Sequence, residues 1–518
     1  MNYRLILFEM CVIAVFVGVF EVFSAGIGYC SGDEWKDFFP LLICGSATLI
    51  AGVAGGIFLR PRTEQQKKAG LREGYAGAAF GWLVASALGA LPFHFGANMH
   101  WYDALFESAS GFTTTGVALI HRGYAMTNGG VLENGVESLS KGIVFWRSLE
   151  SWLGGIGIVV LMVAILPRFN RGIQKLYNAE TPGLKSSDTQ IAPSTRKSAI
   201  LLFKLYIGIT FVEAFLLWCT GKMDFFEATC NSFTTVSTGG FCTRQDSIAA
   251  FDSTPVTLIV TFFMFISGVN FFLHARLFSG KPLSYLKDEE FRVYSFILII
   301  VSGIVALSLL WCGPGDYFFF GSGSFLQSAE CIGVAFRDAA FQVTSIMTSS
   351  GFAINDYCTW PSVAVALIVG ISVIGGCGGS TAGGLKCVRA LLVWKQSQTE
   401  VKHNIFPQLV TGVYLNDVRV KAPAIQKTVA FFIAYIGVIL LFALLIPFLC
   451  YDCSWETGLS ASITCLSNVG PGVGPIGPSG DFDWLNPAAK LLLSLEMIIG
   501  RLELFTFLVL FQRSFWRK

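Results

Sequence analysis

Four short segments hold the residues whose types and spacing could do chemistry. They are 102–116 (YDALFESASGFTTTG), 225–239 (FFEATCNSFTTVSTG), 337–351 (RDAAFQVTSIMTSSG) and 456–470 (ETGLSASITCLSNVG). Each begins near an acidic residue and ends in small or hydroxylated residues and a glycine. Such segments suit the handling of a cation stripped of water. Rings of backbone carbonyls replace the hydration shell of K⁺ without fixed charge. The chain must be extended and turned at that point, which is easiest where a glycine takes positive φ. Small hydroxyl side chains beside it satisfy freed backbone groups and need little room. The four turns read Thr113-Thr114-Thr115-Gly116, Val236-Ser237-Thr238-Gly239, Thr348-Ser349-Ser350-Gly351 and Ser467-Asn468-Val469-Gly470. None is the symmetric TVGYG of four-subunit potassium channels. Few carboxylates occur in them, which argues against an acidic ring selective for divalent ions.

The elements that must position these turns are membrane helices. Each segment is too short and too polar to cross a bilayer, and each lies between two apolar runs long enough to do so. The terminal glycines fall 123, 112 and 119 residues apart. A fourfold repeat of helix, half-helix, glycine turn and helix is the plan of a selectivity filter built in one chain. Irregular backbone at membrane depth needs protein or a water-filled cavity around it, a condition that four segments meet together. Composition agrees. The 518-residue chain is 53% apolar and 14% charged, with a mean hydropathy of +0.61, against about 25% charged residues in soluble domains. Its 47 Phe and 12 Trp suit lipid-facing and interfacial positions, and its 55 Gly suit close helix packing.

The expected fold is therefore an all-α polytopic membrane protein. It has about ten transmembrane helices and four re-entrant pore half-helices in four pseudo-symmetric helix–pore-loop–helix repeats. The spans are placed near 3–29 and 38–60, 75–97 and 142–166, 198–220 and 255–279, 291–312 and 361–395, and 424–449 and 486–513. The first run, 5–29, is read as a true span and not as a removed signal peptide. The units are a leading pair (1–70) and repeats at 71–197, 198–290, 291–420 and 421–518. Asp103, Glu227, Asp338 and Glu456 lie early in the half-helices, where carboxylates favour the helix N-terminus. The opposite ends would point partial negative charge at the pore.

Charge sets the expected orientation. The start, the end and segments 60–73, 168–197, 276–292 and 386–427 hold 26 of the 36 Lys and Arg. The opposite loops hold eight, at Lys36, Arg122, Lys141, Arg147, Lys222, Arg244, Arg337 and Lys490, while Lys204 and Arg501 fall within spans. The positive-inside rule then places both termini and the basic loops in the cytoplasm, and the four turns enter from outside. The cytoplasmic stretches are too short to bury a core, so a nucleotide-binding regulator would be a separate subunit.

The chain resembles the TrkH/TrkG/KtrB superfamily of bacterial K⁺ transporters over nearly its whole length. The motifs are FTTTG (112–116), FWRSLESWLGGIGIVVL (145–161), TVSTGGF (235–241), SGVNFFLH (267–274), GGCGGSTAGGLK (375–386), NVGPGVG (468–474) and GRLELF (500–505). The extra leading pair resembles the TrkH/TrkG branch. The resemblance implies K⁺ uptake across the bacterial cytoplasmic (inner) membrane, with both termini cytoplasmic. It implies a homodimer with a pore in each protomer, embedded in membrane lipid, and a cytoplasmic regulatory subunit of the nucleotide-binding TrkA type. No cofactor in the chain, no transition metal and no nucleic acid are expected; K⁺ is the transported ion. The implied filter residues are Thr114, Thr115, Gly116, Ser237, Thr238, Gly239, Ser349, Ser350, Gly351, Asn468, Val469 and Gly470. In related proteins a serine at the first filter glycine goes with Na⁺ permeation, so Gly116 favours K⁺.

Two further sites come from the resemblance. The implied gate is an intramembrane loop below the filter, with Gly375, Gly376, Gly378, Gly379, Ser380, Thr381, Gly383 and Gly384, together with Arg501. Six glycines in ten residues do not hold a straight helix, at about 1 kcal/mol for each relative to alanine. A close packing surface would need small residues at helical spacing instead. Arg501 lies inside the last apolar run, where an arginine faces a cavity or a partner. The family's matching arginine points into the pore, while the plainer reading pairs Arg501 with Glu503 or Glu496. Glu150 either faces the outer pore or satisfies a neighbour.

Three other readings stand beside this one. A Na⁺-permeable or Na⁺-coupled member of the superfamily would share every motif. An alternating-access transporter would carry inverted repeats, whereas all four half-helices here sit on one side. A membrane enzyme lacks a constellation of intramembrane His, Asp or Ser. The 14 cysteines include one CxxC, Cys450 and Cys453, which is weak evidence for redox or zinc chemistry. His94, His100, His121, His274 and His403 lack metal-site spacing.

Overall fold

The structure, a computed structural model, describes residues 1–61, 70–157, 195–314, 325–408 and 411–516. Helices dominate, and the described strands are two short hairpins. Six helices are long and apolar enough to cross a membrane: α1 (Tyr3–Cys30), α2 (Trp35–Leu59), α3 (Leu71–Phe95), α6 (Thr195–Cys219), α10 (Glu289–Cys312) and α14 (Ala422–Leu449). A seventh span passes the same test as a pair, α8 (Thr254–Ser267) and α9 (Phe271–Phe278), bent by 97°. Ile57, Phe58, Phe211, Leu444 and Phe448 are exposed on these helices, an arrangement suited to lipid and not to water. The molecule is an all-α membrane protein.

α1 and α2 lie together because glycine lets their backbones touch. A Cβ on Gly18 would meet the Gly45 carbonyl oxygen at 2.8 Å, and one on Gly45 would meet the Val22 nitrogen at 2.8 Å. Small residues permit this approach where lipid supplies no hydrophobic drive. Gly45→Ala is expected to destabilise the protein by about 1–3 kcal/mol through overpacking. Gly26→Ala, with nothing within 4 Å, should stabilise it by up to about 1 kcal/mol through helix propensity. Thermal unfolding in detergent reads both signs.

The half-helices are α4 (Trp101–Phe112), α7 (Phe225–Val236) and α15 (Trp455–Leu466), each 12 residues, and α11 (Phe325–Met347), which runs 23. Their starts are written in the sequence. Asp224 accepts from the Glu227 N–H and Glu227 returns a bond to the Asp224 N–H, a capping box. Ser454 caps α15 through the Thr457 N–H. The expected capping role fails at Asp338. α11 begins 13 residues earlier, and Asp338 instead joins Arg337 at 2.7 Å and Asn355 at 2.8 Å.

The second helices of the repeats are α5 (Lys141–Gly155), α8, α12 (Ser362–Ile374) and α16 (Pro487–Arg501). All four stop after 13–15 residues. After the break the chain resumes as α9, α13 (Cys387–Ile405) and α17 (Leu504–Leu508). The stretch 158–194 after α5, with the far end of the expected span 142–166 and most of basic segment 168–197, lies outside the described residues.

Candidate functional site

Each half-helix ends in the same turn. Thr114, Thr238, Ser349 and Asn468 have φ of 54°, 57°, 54° and 53°. The next N–H in each case returns to the carbonyl five residues back: Thr115 to Ser110, Gly239 to Thr234, Ser350 to Ser345 and Val469 to Thr464. This closes the helix end in the manner of a Schellman motif. The left-handed conformation costs a residue with a Cβ about 1–3 kcal/mol, and here four such residues take it at equivalent places. Two residues on, Gly116, Gly240, Gly351 and Gly470 have φ of 77°, 69°, 77° and 105°.

This register corrects the second turn by one residue. Gly240, not Gly239, is the counterpart of Gly116, Gly351 and Gly470. Gly239 stands where the other turns carry Thr115, Ser350 and Val469, and Ser237 where they carry Thr113, Thr348 and Ser467. The sequence Ser-Thr-Gly-Gly contains two residues free to take positive φ, so the ending alone does not say which one does.

The four turns close a ring in chain order. A Cβ on Gly116 would strike the carbonyl oxygen of Gly239, one on Gly240 that of Ser350, and one on Gly351 that of Val469. The ring closes where Gly470 meets the Thr115 carbonyl, at 2.8 Å from an added Cβ. Asn468 Nδ2 donates to Thr115 Oγ1 across this junction at 2.9 Å. One cavity touches Gly116, Gly240, Gly351 and Gly470 on one side of the ring. A second, on the other side, is lined by Asn468, Thr381, Gly383 and Arg501.

The ring is braced from behind. Glu150 accepts from Ser108 Oγ at 2.9 Å, and Glu496 accepts from Ser462 Oγ at 2.5 Å. Ser108 and Ser462 each precede their ring glycine by eight residues, so the two pairs are pseudo-symmetric. Glu150 is thus held by its own half-helix. Arg147 borders the first cavity but pairs with buried Glu107 at 2.7 Å and covers the Phe241 ring at 3.5 Å. At the junction of the first and last repeats Lys490 joins Asp103 (2.7 Å) and Asp483 (2.9 Å), and Tyr124 donates to Asp103.

The glycine-rich segment interrupts repeat three as a loop. Gly375, Gly379 and Gly384 take φ of 78°, 77° and 76°, and Lys386 takes 71° immediately before α13. The loop lies against the ring. Gly383 N–H donates to Ser349 Oγ at 2.6 Å, and Thr381 Oγ1 donates to the Val236 and Ser267 carbonyls at 3.0 and 3.2 Å. It also spans the break between α8 and α9, where the Cys377 N–H meets the Gly268 carbonyl at 2.9 Å and the Phe271 N–H meets that of Gly379 at 3.1 Å. Gly376 packs within 3.0 Å of the same Gly268 carbonyl, measured from an added Cβ. Ser380 Oγ bonds back to the Cys377 carbonyl and Gly378 donates to Glu290.

Arg501 reaches this loop. It donates to the carbonyls of Thr381 (2.8 Å), Gly154 (2.8 Å) and Gly155 (3.1 Å), joining the loop to the end of α5. Glu503 binds Arg389 at 2.5 Å, and Arg389 covers Phe431. Among the described residues no group of three His, Cys, Asp or Glu could hold a metal ion, and all 14 cysteines are free thiols.

The profile of the TrkH cation transport proteins matches residues 45–518. The chain belongs to the TrkH family. Among TrkH-family relatives, the Trk system potassium uptake protein TrkH of Escherichia coli (strain K12) is 35% identical over 475 residues, covering 90% of this chain and 91% of its own. The Trk system potassium uptake protein TrkG of the same strain is 32% identical, covering 87% of each chain. The crystal structure of the potassium transporter TrkH from Vibrio parahaemolyticus superposes with a TM-score of 0.82, at 29% identity over the whole of both chains.

Two features of this TrkH-family site escaped sequence reasoning. The breaks after α5, α8 and α16 leave only short signals such as GGIG and SGVN, far weaker than GGCGGSTAGG. Glu290 gives none, since its partners Gly378 and Val388 lie 88 and 98 residues away.

Proposed function

We propose that this chain conducts K⁺ into the cell through a channel-like pore whose filter is the ring of four turns. The observation that carries this reading is the strained residue repeated at Thr114, Thr238, Ser349 and Asn468, each two residues before a positive-φ glycine in the closed ring. Strain placed identically four times points to a conformation kept for function. Carbonyls at the ring can replace a hydration shell, and the C-terminal ends of the half-helices add partial negative charge. The Trk names of the relatives agree with K⁺ as cargo. The filter comprises residues 114–116, 238–240, 349–351 and 468–470, the ring opens outward, and both termini lie in the cytoplasm of a bacterial inner membrane. The units 1–70, 71–197, 198–290, 291–420 and 421–518 are the leading pair and the four pore repeats. Two such chains form a homodimer, each with its own pore. The deciding measurement is ion flux in liposomes under opposed K⁺ and Na⁺ gradients, with no other energy source. K⁺ moving down its own gradient supports the reading; flux that requires Na⁺ on the same side favours a Na⁺-coupled carrier.

In this reading loop 375–384 and Arg501 form the gate. Removing residues 378–380, which leaves the Gly383 bond to Ser349 in place, should raise K⁺ flux without altering K⁺ over Na⁺ preference, because the filter lies beyond the loop. An assembled deletion protein that conducts no faster assigns the loop to packing.

The basic segments 168–197 and 386–427 receive a cytoplasmic nucleotide-binding subunit of the TrkA type. Neutralising the lysines and arginines of 386–427 that face solvent is expected to abolish copurification with it. Full nucleotide sensitivity of the isolated chain in liposomes would contradict a separate regulator.

A further inference from the structure

One turn of helix connects the loop to a distant hairpin. α13 starts just after the loop, and its N-cap position is Lys386, whose side chain makes no cap bond. The first N–H groups of a helix need an acceptor. Glu290, buried at the start of α10, supplies it. Its Oε1 accepts from the Val388 N–H at 3.0 Å and from the Gly378 N–H at 2.6 Å. One carboxylate oxygen thus holds both the glycine-rich loop and the helix after it.

The two preceding residues hold something else. β1 (Tyr414–Leu415) and β2 (Val418–Arg419) pair through Asn416 and Asp417, at φ of 48° and 61°, the backbone of a tight two-residue hairpin turn. Asn416 is fully engaged. Its Oδ1 accepts from the Glu289 N–H (2.7 Å), its Nδ2 donates to Asp288 (3.0 Å) and its N–H reaches Glu289 Oε2 (3.3 Å). Lys395 of α13 pairs with Glu289 and donates to the Tyr414 carbonyl at 2.7 Å. Val413, Leu415 and Val420 pack on Val388, Leu391 and Leu392 of α13. Tyr414, Asp417 and Arg419 face solvent.

We propose that residues 288–290 are a two-sided clamp that makes the loop follow the hairpin, with Glu290 as the positioning residue for the loop. Asp288 and Glu289 grip the hairpin, Glu290 grips the loop, and three consecutive residues at a helix start move as one body. A push on the exposed hairpin reaches Gly378 through the hydrogen bonds of the clamp, and reaches Val388 both through the clamp and through the apolar contact of the hairpin with α13. The proposal deepens the reading of 375–384 as a gate and rests on it for its effect on flux.

The test uses the full chain in liposomes and two readouts. One is resting K⁺ flux with the K⁺ over Na⁺ ratio. The other is alkylation of the native thiols Cys377 and Cys387, both buried beside the clamp, located by peptide mass spectrometry. Asn416→Ala removes the side-chain bonds from the hairpin to Asp288 and Glu289 without touching the loop. It should raise alkylation of Cys377 and resting flux on the order of tenfold or more, as expected for a lost hydrogen bond to a charged group, with the ion ratio unchanged. Glu290→Ala should do the same, and the double variant should add little, since both act on one connection. If Glu290→Ala does not assemble, Glu290→Gln, which keeps the acceptor and loses the charge, takes its place with a smaller effect in the same direction. Wild-type alkylation and flux in Asn416→Ala overturn the clamp, as do independent, multiplying effects in the double variant. A changed ion ratio also overturns it, by placing the effect in the ring. If Asn416→Ala exposes Cys377 while flux stays constant, the clamp stands and the gate reading fails.

Discussion

Serine at Gly240 is expected to reduce the preference for K⁺ over Na⁺ by about tenfold or more, and by more than serine at Gly239. At Gly240 the backbone sits at φ 69° and an added Cβ strikes the Ser350 carbonyl. The variant must either strain, by about 1–3 kcal/mol, or move a carbonyl of the proposed filter, and about 1.4 kcal/mol is a tenfold ratio. Gly239 has no positive φ, and three sister turns carry Thr115, Ser350 and Val469 in its place. Its added Cβ meets Ser151 Cβ at 2.8 Å, a side chain that can shift. Gly116→Ser should behave like Gly240→Ser, since its Cβ strikes the Gly239 carbonyl at φ 77°. Bi-ionic flux in liposomes, with detergent size-exclusion profiles to show intact assembly, makes the comparison. Equal effects at 239 and 240 would refute the register, and wild-type ratios at 116 and 240 would remove both from the filter.

Arg501→Ala should raise resting K⁺ flux by at least about tenfold. A cation passing about 4 Å from the guanidinium meets roughly 4 kcal/mol of repulsion at the effective dielectric of a protein. The same side chain pins the loop at Thr381 to the end of α5 at Gly154 and Gly155. Losing it removes charge and tether together. Arg501→Lys should lie between, because a single ammonium keeps the charge but not the planar fork that spans two elements. The ion ratio should hold in both. If Arg501→Ala fails to assemble while Arg501→Met folds with wild-type flux, the residue is a structural contact.

The fold was readable where its cause is local. Apolar runs pointed to an all-α membrane fold and the fourfold spacing of small-residue turns to the half-helices, and Glu227 was legible as a carboxylate at a helix start. The features that escaped depend on distance or on degeneracy. Two adjacent glycines led the sequence reading to set the second turn one residue early, at Gly239 instead of Gly240. α11 begins well ahead of Arg337, because nothing in FLQSAECIGVAF interrupts a helix. The break at 375–384 was visible from glycine density, yet which carbonyls the loop meets was not. Glu150 and Glu290 look alike in sequence. Only the fold sets one against Ser108 and the other against two amides of a loop.

The ring closes in chain order, and that has a consequence for how the protein is made. Three of its junctions join neighbouring repeats and can form as the chain emerges. The fourth joins Gly470 and Asn468 to Thr115, across 353 residues at the amide bond. Lys490 and Asp103, 387 residues apart, fasten the same side. Contacts this remote in sequence are the slowest to form, and larger chains assemble from the N-terminal end as synthesis proceeds. The first turn, strained at Thr114, therefore waits for its partner through the synthesis of three repeats. Damage to the last repeat leaves an open arc with an unpaired edge, a species that membrane quality control would meet before any ion does.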